Sequence, residues 1–240
     1  MQRRTFLQGA LALGSLTTSS TFANGLSQSA PPVPTIINAG VGGNNTVDLL
    51  ARIDKDCLAH KPELTILMIG TNDMNSRKHV PLANYEQNIR MICAKLVAAQ
   101  SQVMLMTILP AYEPYLMTRH DPAFYAPEGH AVRKQKVNGT IRKIAADNQF
   151  PLLDMHHIFE KVGHIGLEAS SLIKNEANSN KTDGIHPTPD GYRVMSIAVY
   201  TFLTQNQLLK NRIVCFGDSI TIGDGNGKNY PSYLQQLVTP

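Results

Sequence analysis

Short runs made mostly of apolar residues alternate along this chain with longer stretches in which apolar residues return every three or four positions. Thr35–Ala39, Leu64–Ile69, Val103–Leu109, Pro151–Asp154 and Ile213–Phe216 are of the first kind. Runs of that length read as strands, and Ile213–Phe216, bounded by Asn211-Arg212 and Gly217, as one buried on both faces. Helical spacing marks Val47–His60, through Val47, Leu50, Ile53 and Cys57, and Tyr85–Gln100, through Tyr85, Ile89, Ile92 and Leu96. Further helices are expected over Ala131–Asn148, Pro189–Leu208 and Tyr230–Leu237. Asn45 or Thr46 suits the N-cap of the first helix, and Thr188 followed by Pro189 opens a later one. Alternation of strand and helix is the pattern of a three-layer α/β/α sandwich around a parallel sheet. Ala111–Gly129 is rich in Tyr, Pro and His and is long for a connection, which favours the rim of a site. Met155–Lys181 shows no clear period.

The N-terminus departs from this alternation. Arg3-Arg4-Thr5-Phe6-Leu7 precedes an apolar run to Leu16 and a small-residue stretch ending at Ala23. That order is expected of a signal peptide over residues 1–23, and the paired arginines before Phe-Leu resemble a twin-arginine signal. Gln2 and Gln8 depart from that pattern, so general secretion stays open. Residues 24–34, rich in Ser and Pro, read as a flexible leader. Residues 35–240 carry no repeat and no linker, and are expected to form a single domain. The chain is thus expected to be exported, to the periplasm or beyond, with no later membrane span.

Composition changes the picture little. With 42% apolar and 17% charged residues the chain has the make-up of a folded domain. The formal charge of +4 falls to +2 if Arg3 and Arg4 leave with a signal, so nothing points to nucleic acid. Cys57, Cys93 and Cys215 each sit at an apolar position and read as small buried thiols. Their spacing matches no metal site, and Asp154, His156, His157 and His164 have no ligand spacing either.

The candidate chemistry lies just after the strands. Gly217-Asp218-Ser219 follows Ile213–Phe216, and a hydroxyl beyond the carboxyl end of a parallel strand is where a nucleophile would stand. Serine needs a base at neutral pH, and His186 is the natural one. Asp183, three residues earlier, can hold the other ring nitrogen. Gly43 N–H, the Asn72 amide and Ser219 N–H can stabilise a developing oxyanion. Each has a plainer alternative. Gly42-Gly43 and Gly-Asp-Ser are turn compositions. Asn72 can cap a helix, and His186 can be a satisfied loop histidine. Asp218 reads as a brace for its own turn. Gly40-Val41-Gly42-Gly43 lacks the rest of a dinucleotide-binding fingerprint.

Together these blocks resemble the SGNH (GDSL) hydrolase family of serine esterases. Gly217-Asp218-Ser219 matches the nucleophile block, Asn38-Ala39-Gly40-Val41-Gly42-Gly43-Asn44 the glycine block, Gly70-Thr71-Asn72-Asp73 the asparagine block and Asp183-Gly184-Ile185-His186-Pro187 the Asp-x-x-His block. The resemblance implies a flavodoxin-like parallel sheet, a Ser219–His186–Asp183 triad, an oxyanion hole of Ser219, Gly43 and Asn72, and no cofactor or metal. It implies hydrolysis of a small-molecule or carbohydrate ester through an acyl-enzyme. Without a long apolar lid segment, a short acyl group such as acetyl is favoured over a lysophospholipid or thioester. A non-catalytic carbohydrate-binding protein would keep the same sheet. Tyr112, Tyr115, His120 and Tyr125 are candidates for the alcohol side, and surface packing would account for them as well. Oligomeric state is not legible.

Block order departs from the family. There the Gly-Asp-Ser block comes first; here it comes last. The chain therefore reads as a circular permutant, in which Ile213–Phe216 inserts between Thr35–Ala39 and Leu64–Ile69. The rival account makes the C-terminal block the start of a truncated second copy, leaving an unfilled gap in the first sheet.

Overall fold

Among the described residues the apolar runs pair into one parallel sheet. Its strands are β1 (Thr35–Gly40), β2 (Leu64–Met68), β3 (Gln102–Met106), β4 (Leu152–Leu153) and β5 (Arg212–Gly217), in the spatial order β1-β5-β2-β3-β4. The computed structural model describes residues 33–239 apart from His164 and Asn226, so the expected signal peptide and leader residues 24–32 lie outside the described residues. The last strand in sequence fills the gap between the first two. Ile36 lies opposite Ile213 on one side of β5, and Ile66 lies opposite Cys215 on the other.

The helices are α1 (Thr46–Asp56), α2 (Leu82–Ala98), α3 (Glu113–Leu116), α4 (Gly129–Asn148), α5 (Met155–Val162), α6 (Glu176–Ser179), α7 (Pro189–Gln205), α8 (Ser219–Ile222) and α9 (Tyr230–Val238). Asn45 caps α1 reciprocally: its side chain accepts from Asp48 N–H at 3.0 Å, and the Asp48 carboxylate accepts from Asn45 N–H at 3.0 Å. Thr188 caps α7 through Gly191 N–H at 3.1 Å.

Side chains alternate across the sheet, so each strand feeds two cores. Val214 and Phe216 of β5 pack with Leu49, Ile53, Tyr85, Ile89 and Ile141 from α1, α2 and α4. Ile213 and Cys215 pack with Phe159, Tyr192, Met195, Val199 and Leu234 from α5, α7 and α9. All four β5 side chains are fully buried. Burying each large apolar side chain is worth roughly 1.5–3 kcal/mol, so loss of β5 would open both layers at once. The three thiols are free and buried, as their apolar positions lead one to expect.

The two ends of the sandwich meet. Gln235 of α9 accepts from Ile36 N–H at 2.8 Å and donates to the Pro34 carbonyl at 3.0 Å. Three expectations need adjustment. β3 stops at Met106 rather than Leu109, because its outer neighbour β4 pairs only through Leu152 and Leu153; Ile108 N–H turns instead to the Asn138 side chain at 2.9 Å. The Gly-Asp-Ser block, a turn composition by sequence, leads directly into the single helical turn α8. Met155–Lys181 resolves into α5, α6 and the first part of a strap over residues 172–188, whose Ile173 bridges Pro187 in antiparallel fashion.

Candidate active site

The loops that follow β1, β2 and β5 leave one edge of the sheet together, and the strap meets them there. β5 ends on Gly217, where a Cβ would stand 2.4 Å from the Met68 carbonyl and 2.3 Å from Thr221 Oγ1. Only glycine lets the chain turn this close to β2. Asp218 then accepts from Ile220 N–H at 2.9 Å and fixes the turn, as its bracing role requires. Burial pushes its carboxyl up to about 6 despite that bond. Ser219 begins α8 and is partly exposed.

The strap carries Asp183 and His186. Lys174 N–H donates to the His186 carbonyl at 2.9 Å, and Gly184 N–H donates to the Lys174 carbonyl at 3.0 Å. Within the loop, Asp183 Oδ1 accepts from the N–H groups of Ile185 at 2.9 Å and His186 at 2.8 Å. The His186 ring lies across the same carboxylate, Nδ1 2.9 Å from Oδ2. Its Nε2 stands 3.0 Å from Ser219 Oγ. Burial alone would raise the Asp183 carboxyl. The bonds from the His186 ring and its charge, with the backbone N–H groups of His186 and Ile185, outweigh it and hold the group well below the usual carboxylate range. An ionised Asp183 takes the Nδ1 proton as a hydrogen bond, which leaves Nε2 as acceptor for the serine hydroxyl.

Gly43 and Asn72 line the same cleft as Ser219 and His186, in a cavity of about 830 Å³. Gly43 adopts φ +75°, a left-handed conformation that favours glycine. Asn72 donates one amide proton to the Asn44 carbonyl at 2.8 Å, which ties it to the glycine loop and leaves the amide's second proton available. The adjacent Asp73 is buried under these loops. It accepts from Thr46 N–H at 2.9 Å and Thr46 Oγ1 at 2.5 Å, yet its second oxygen finds no partner among the described residues. Burial outweighs the Thr46 bonds and pushes its carboxyl up to about 6.

Three further groups join these loops and were not anticipated. Arg52 of α1 donates to the Ala39 carbonyl at 3.0 Å, the Gly217 carbonyl at 2.8 Å and the Asn44 side chain at 2.6 Å. Its guanidinium lies 4.5 Å over the Phe216 ring. One cation thus clamps the ends of β1 and β5 to the glycine loop. The Lys174 ammonium pairs with Asp224, linking the strap to the segment after Ser219. Arg119 donates to the carbonyls of Thr182 and Asp183.

The aromatic candidates divide. His120 lines the cleft. Tyr125 does not: it is buried, with its hydroxyl donating to Asn75 Oδ1 at 2.8 Å. Tyr112 and Tyr115 stack edge to face at 5.0 Å and buttress the back of the strap, where Tyr112 N–H donates to the Gly184 carbonyl at 2.8 Å. Among the described residues no metal-like group of His, Cys, Asp or Glu gathers. His156 is spent on the Ile108 carbonyl and Glu160, and Asp154 on Thr107 and Arg142. His164 lies outside the described residues.

The model of the GDSL-like lipase/acylhydrolase family matches residues 8–194. The chain belongs to that family. This acylhydrolase is 26% identical to the uncharacterised lipoprotein YqeF of Bacillus subtilis (strain 168), over 73% of the chain and 74% of that protein. It is 34% identical over 80 residues to an acetylxylan esterase of Geobacillus stearothermophilus, covering 30% of the chain and 36% of that enzyme. Its fold is similar to that of a putative acylhydrolase from Bacteroides fragilis, with a TM-score of 0.55 at 24% identity, over 71% of this chain and 74% of that one. The Ser219 block lies beyond the residues that the family model matches. No helix among the described residues of this family member is long and apolar enough to cross a membrane.

Proposed function

We propose that this acylhydrolase is an exported serine esterase that cleaves short acyl esters through an acyl-enzyme. The single observation that carries the reading is the hydrogen-bonded line from Asp183 through His186 to Ser219, at 2.9 Å and 3.0 Å. His186 Nε2 takes the Ser219 proton as Oγ attacks the ester carbonyl, and Asp183 stabilises the imidazolium that forms. The Ser219 and Gly43 N–H groups and the Asn72 amide receive the oxyanion. His186 then hands its proton to the leaving alcohol and activates a water for deacylation. Removing one oxyanion donor costs on the order of 10²–10³ in rate.

The preference for a short acyl group such as acetyl rests on the cleft wall. Ile185 is the one aliphatic side chain among the lining residues, so no aliphatic channel stands ready for a long acyl chain. The acetylxylan esterase relative is in keeping with this. Export rests on the Arg3-Arg4 signal pattern and on the lipoprotein relative. The domain over residues 35–240 is a circular permutant in this reading. The block order supports it, as does the Gln235 link between α9 and the start of β1. Hydrolysis of p-nitrophenyl acetate by the purified mature protein tests the chemistry. Ser219→Ala should lower kcat by about 10³-fold or more, with the far-UV spectrum unchanged. Equal activity in the variant would refute the mechanism.

A further inference from the structure

The cleft around Ser219 is cationic, although the chain as a whole carries little net charge. Arg77, Lys78, Arg119 and Lys181 line it, and Asp183 is the one carboxylate among the lining residues. Asp183 is committed to the His186 ring. Lys78 is offset by Asp48 at 2.8 Å. Arg77, Arg119 and Lys181 have no carboxylate partner among the described residues, in a chain where most other arginines do. Arg119 is also held in place: its guanidinium donates to two backbone carbonyls, which orient the group without neutralising it. The His120 ring sits among these charges, bonded to Ser76 Oγ at 2.8 Å. Burial first, then Arg77 and Arg119, hold its pKa below the ordinary imidazole value, so the cleft's charge at neutral pH comes from the lysines and arginines. Asn75 and Asn180 complete a wall of polar groups.

Three unpaired cations facing one solvent cleft repel each other. Self-repulsion is a standing cost that a bound anion removes, and such a field also concentrates anions at the cleft mouth. A neutral sugar ester would gain nothing from it. We infer that the alcohol part of the substrate is polar and carries an anionic oxygen group, received by Arg77, Arg119 and Lys181 while the acyl group sits at Ser219. An acylated acidic sugar, with its carboxylate, or a phosphorylated alcohol would supply that chemistry. With Ile185 the one aliphatic side chain among the lining residues, the cleft offers no aliphatic channel for a lipid tail in either case. The inference rests on the esterase reading for the acyl end but concerns a separate part of the cleft.

Calorimetric titration of the wild-type mature protein separates the two claims, because products without an ester bind without turnover. The probes are trigalacturonate, neutral xylotriose and sn-glycerol 3-phosphate. Trigalacturonate should bind about tenfold more tightly than xylotriose at roughly 0.02 M salt, and the margin should shrink to about twofold at roughly 0.5 M. Arg77→Gln combined with Lys181→Gln, both at exposed positions, should remove most of that margin. If glycerol 3-phosphate shows the same salt and variant sensitivity and trigalacturonate does not, the anion is a phosphate rather than a sugar carboxylate. If neither anion binds better than xylotriose, or if binding ignores salt, the inference is overturned. Wild-type hydrolysis of p-nitrophenyl acetate without any anion preference would sink this inference alone. Anion binding without esterase activity would sink the esterase reading alone.

Discussion

Two loops at the same sheet edge each hold a half-hidden or hidden aspartate, and the loops treat them in opposite ways. Asp183 in the strap is surrounded by donors: two backbone N–H groups and the His186 ring. Its carboxyl is held far down. Asp73, after β2, has only Thr46 to donate to it and leaves one oxygen without a partner, so burial pushes it up to about 6. Asp218, inside the Gly-Asp-Ser block itself, resembles Asp73: it is fully buried, with one N–H bond and a carboxyl near 6. Proximity to Ser219 in sequence therefore does not make Asp218 the partner of the histidine. The carboxylate placed to stabilise an imidazolium is the one that touches the His186 ring, and that is Asp183.

Breaking the stronger side of this contrast should have the largest effect. Asp183→Asn keeps the shape of the strap and removes the charge; kcat on p-nitrophenyl acetate should fall by about 10³–10⁴-fold in a variant that is still folded at about 25 °C by its far-UV spectrum. A loss below about tenfold would mean that His186 is oriented by something else.

The weaker side should respond in stability rather than rate. The Asp73 carboxyl is raised in the folded state above its ordinary value of 3.8. The fold thus binds that proton more tightly than the unfolded chain does, and this contribution is present below pH 3.8 and is lost as the pH rises through about 6. Asp73→Asn should therefore stabilise the protein at pH 8, by up to about 3 kcal/mol, and the gain should vanish towards pH 4. Urea unfolding at both pH values reads it directly. For Asp183 the sign is reversed: its depressed pKa contributes stability above the unfolded value, lost as the pH falls through the folded one.

The smallest effect should come from Asp218→Asn. Its Oδ1 can still accept from Ile220 N–H, so the turn survives, and kcat/KM should fall by less than about tenfold. A loss as deep as that of Asp183→Asn would erase the distinction between the two carboxylates.

Most of the sheet and the four blocks were legible because each is a local pattern. An apolar run, a glycine pair and a Thr-Pro helix start are written in adjacent residues. The insertion of β5 between β1 and β2 was legible from block order, since only that arrangement brings Ser219 to the glycine loop. Arg52, Arg119 and the Lys174–Asp224 pair were not, because they act on backbone carbonyls or on one partner far along the chain. Nothing near Arg52 in sequence marks it as the clamp on Gly217, 165 residues away. The inward position of Tyr125 was not legible for a related reason. An aromatic residue in an irregular loop gives no period, and only the buried Asn75 reveals that it faces inward. Helix α8 is a single turn, too short for any periodicity to announce.

The most direct test of the central claim is covalent. A fluorophosphonate reacts with a serine only when a base activates it. Peptide mapping by mass spectrometry after brief exposure should find one adduct, on Ser219, and the rate of labelling should collapse in His186→Ala. An adduct on another residue, or labelling of Ser219 at an unchanged rate without His186, would contradict the account.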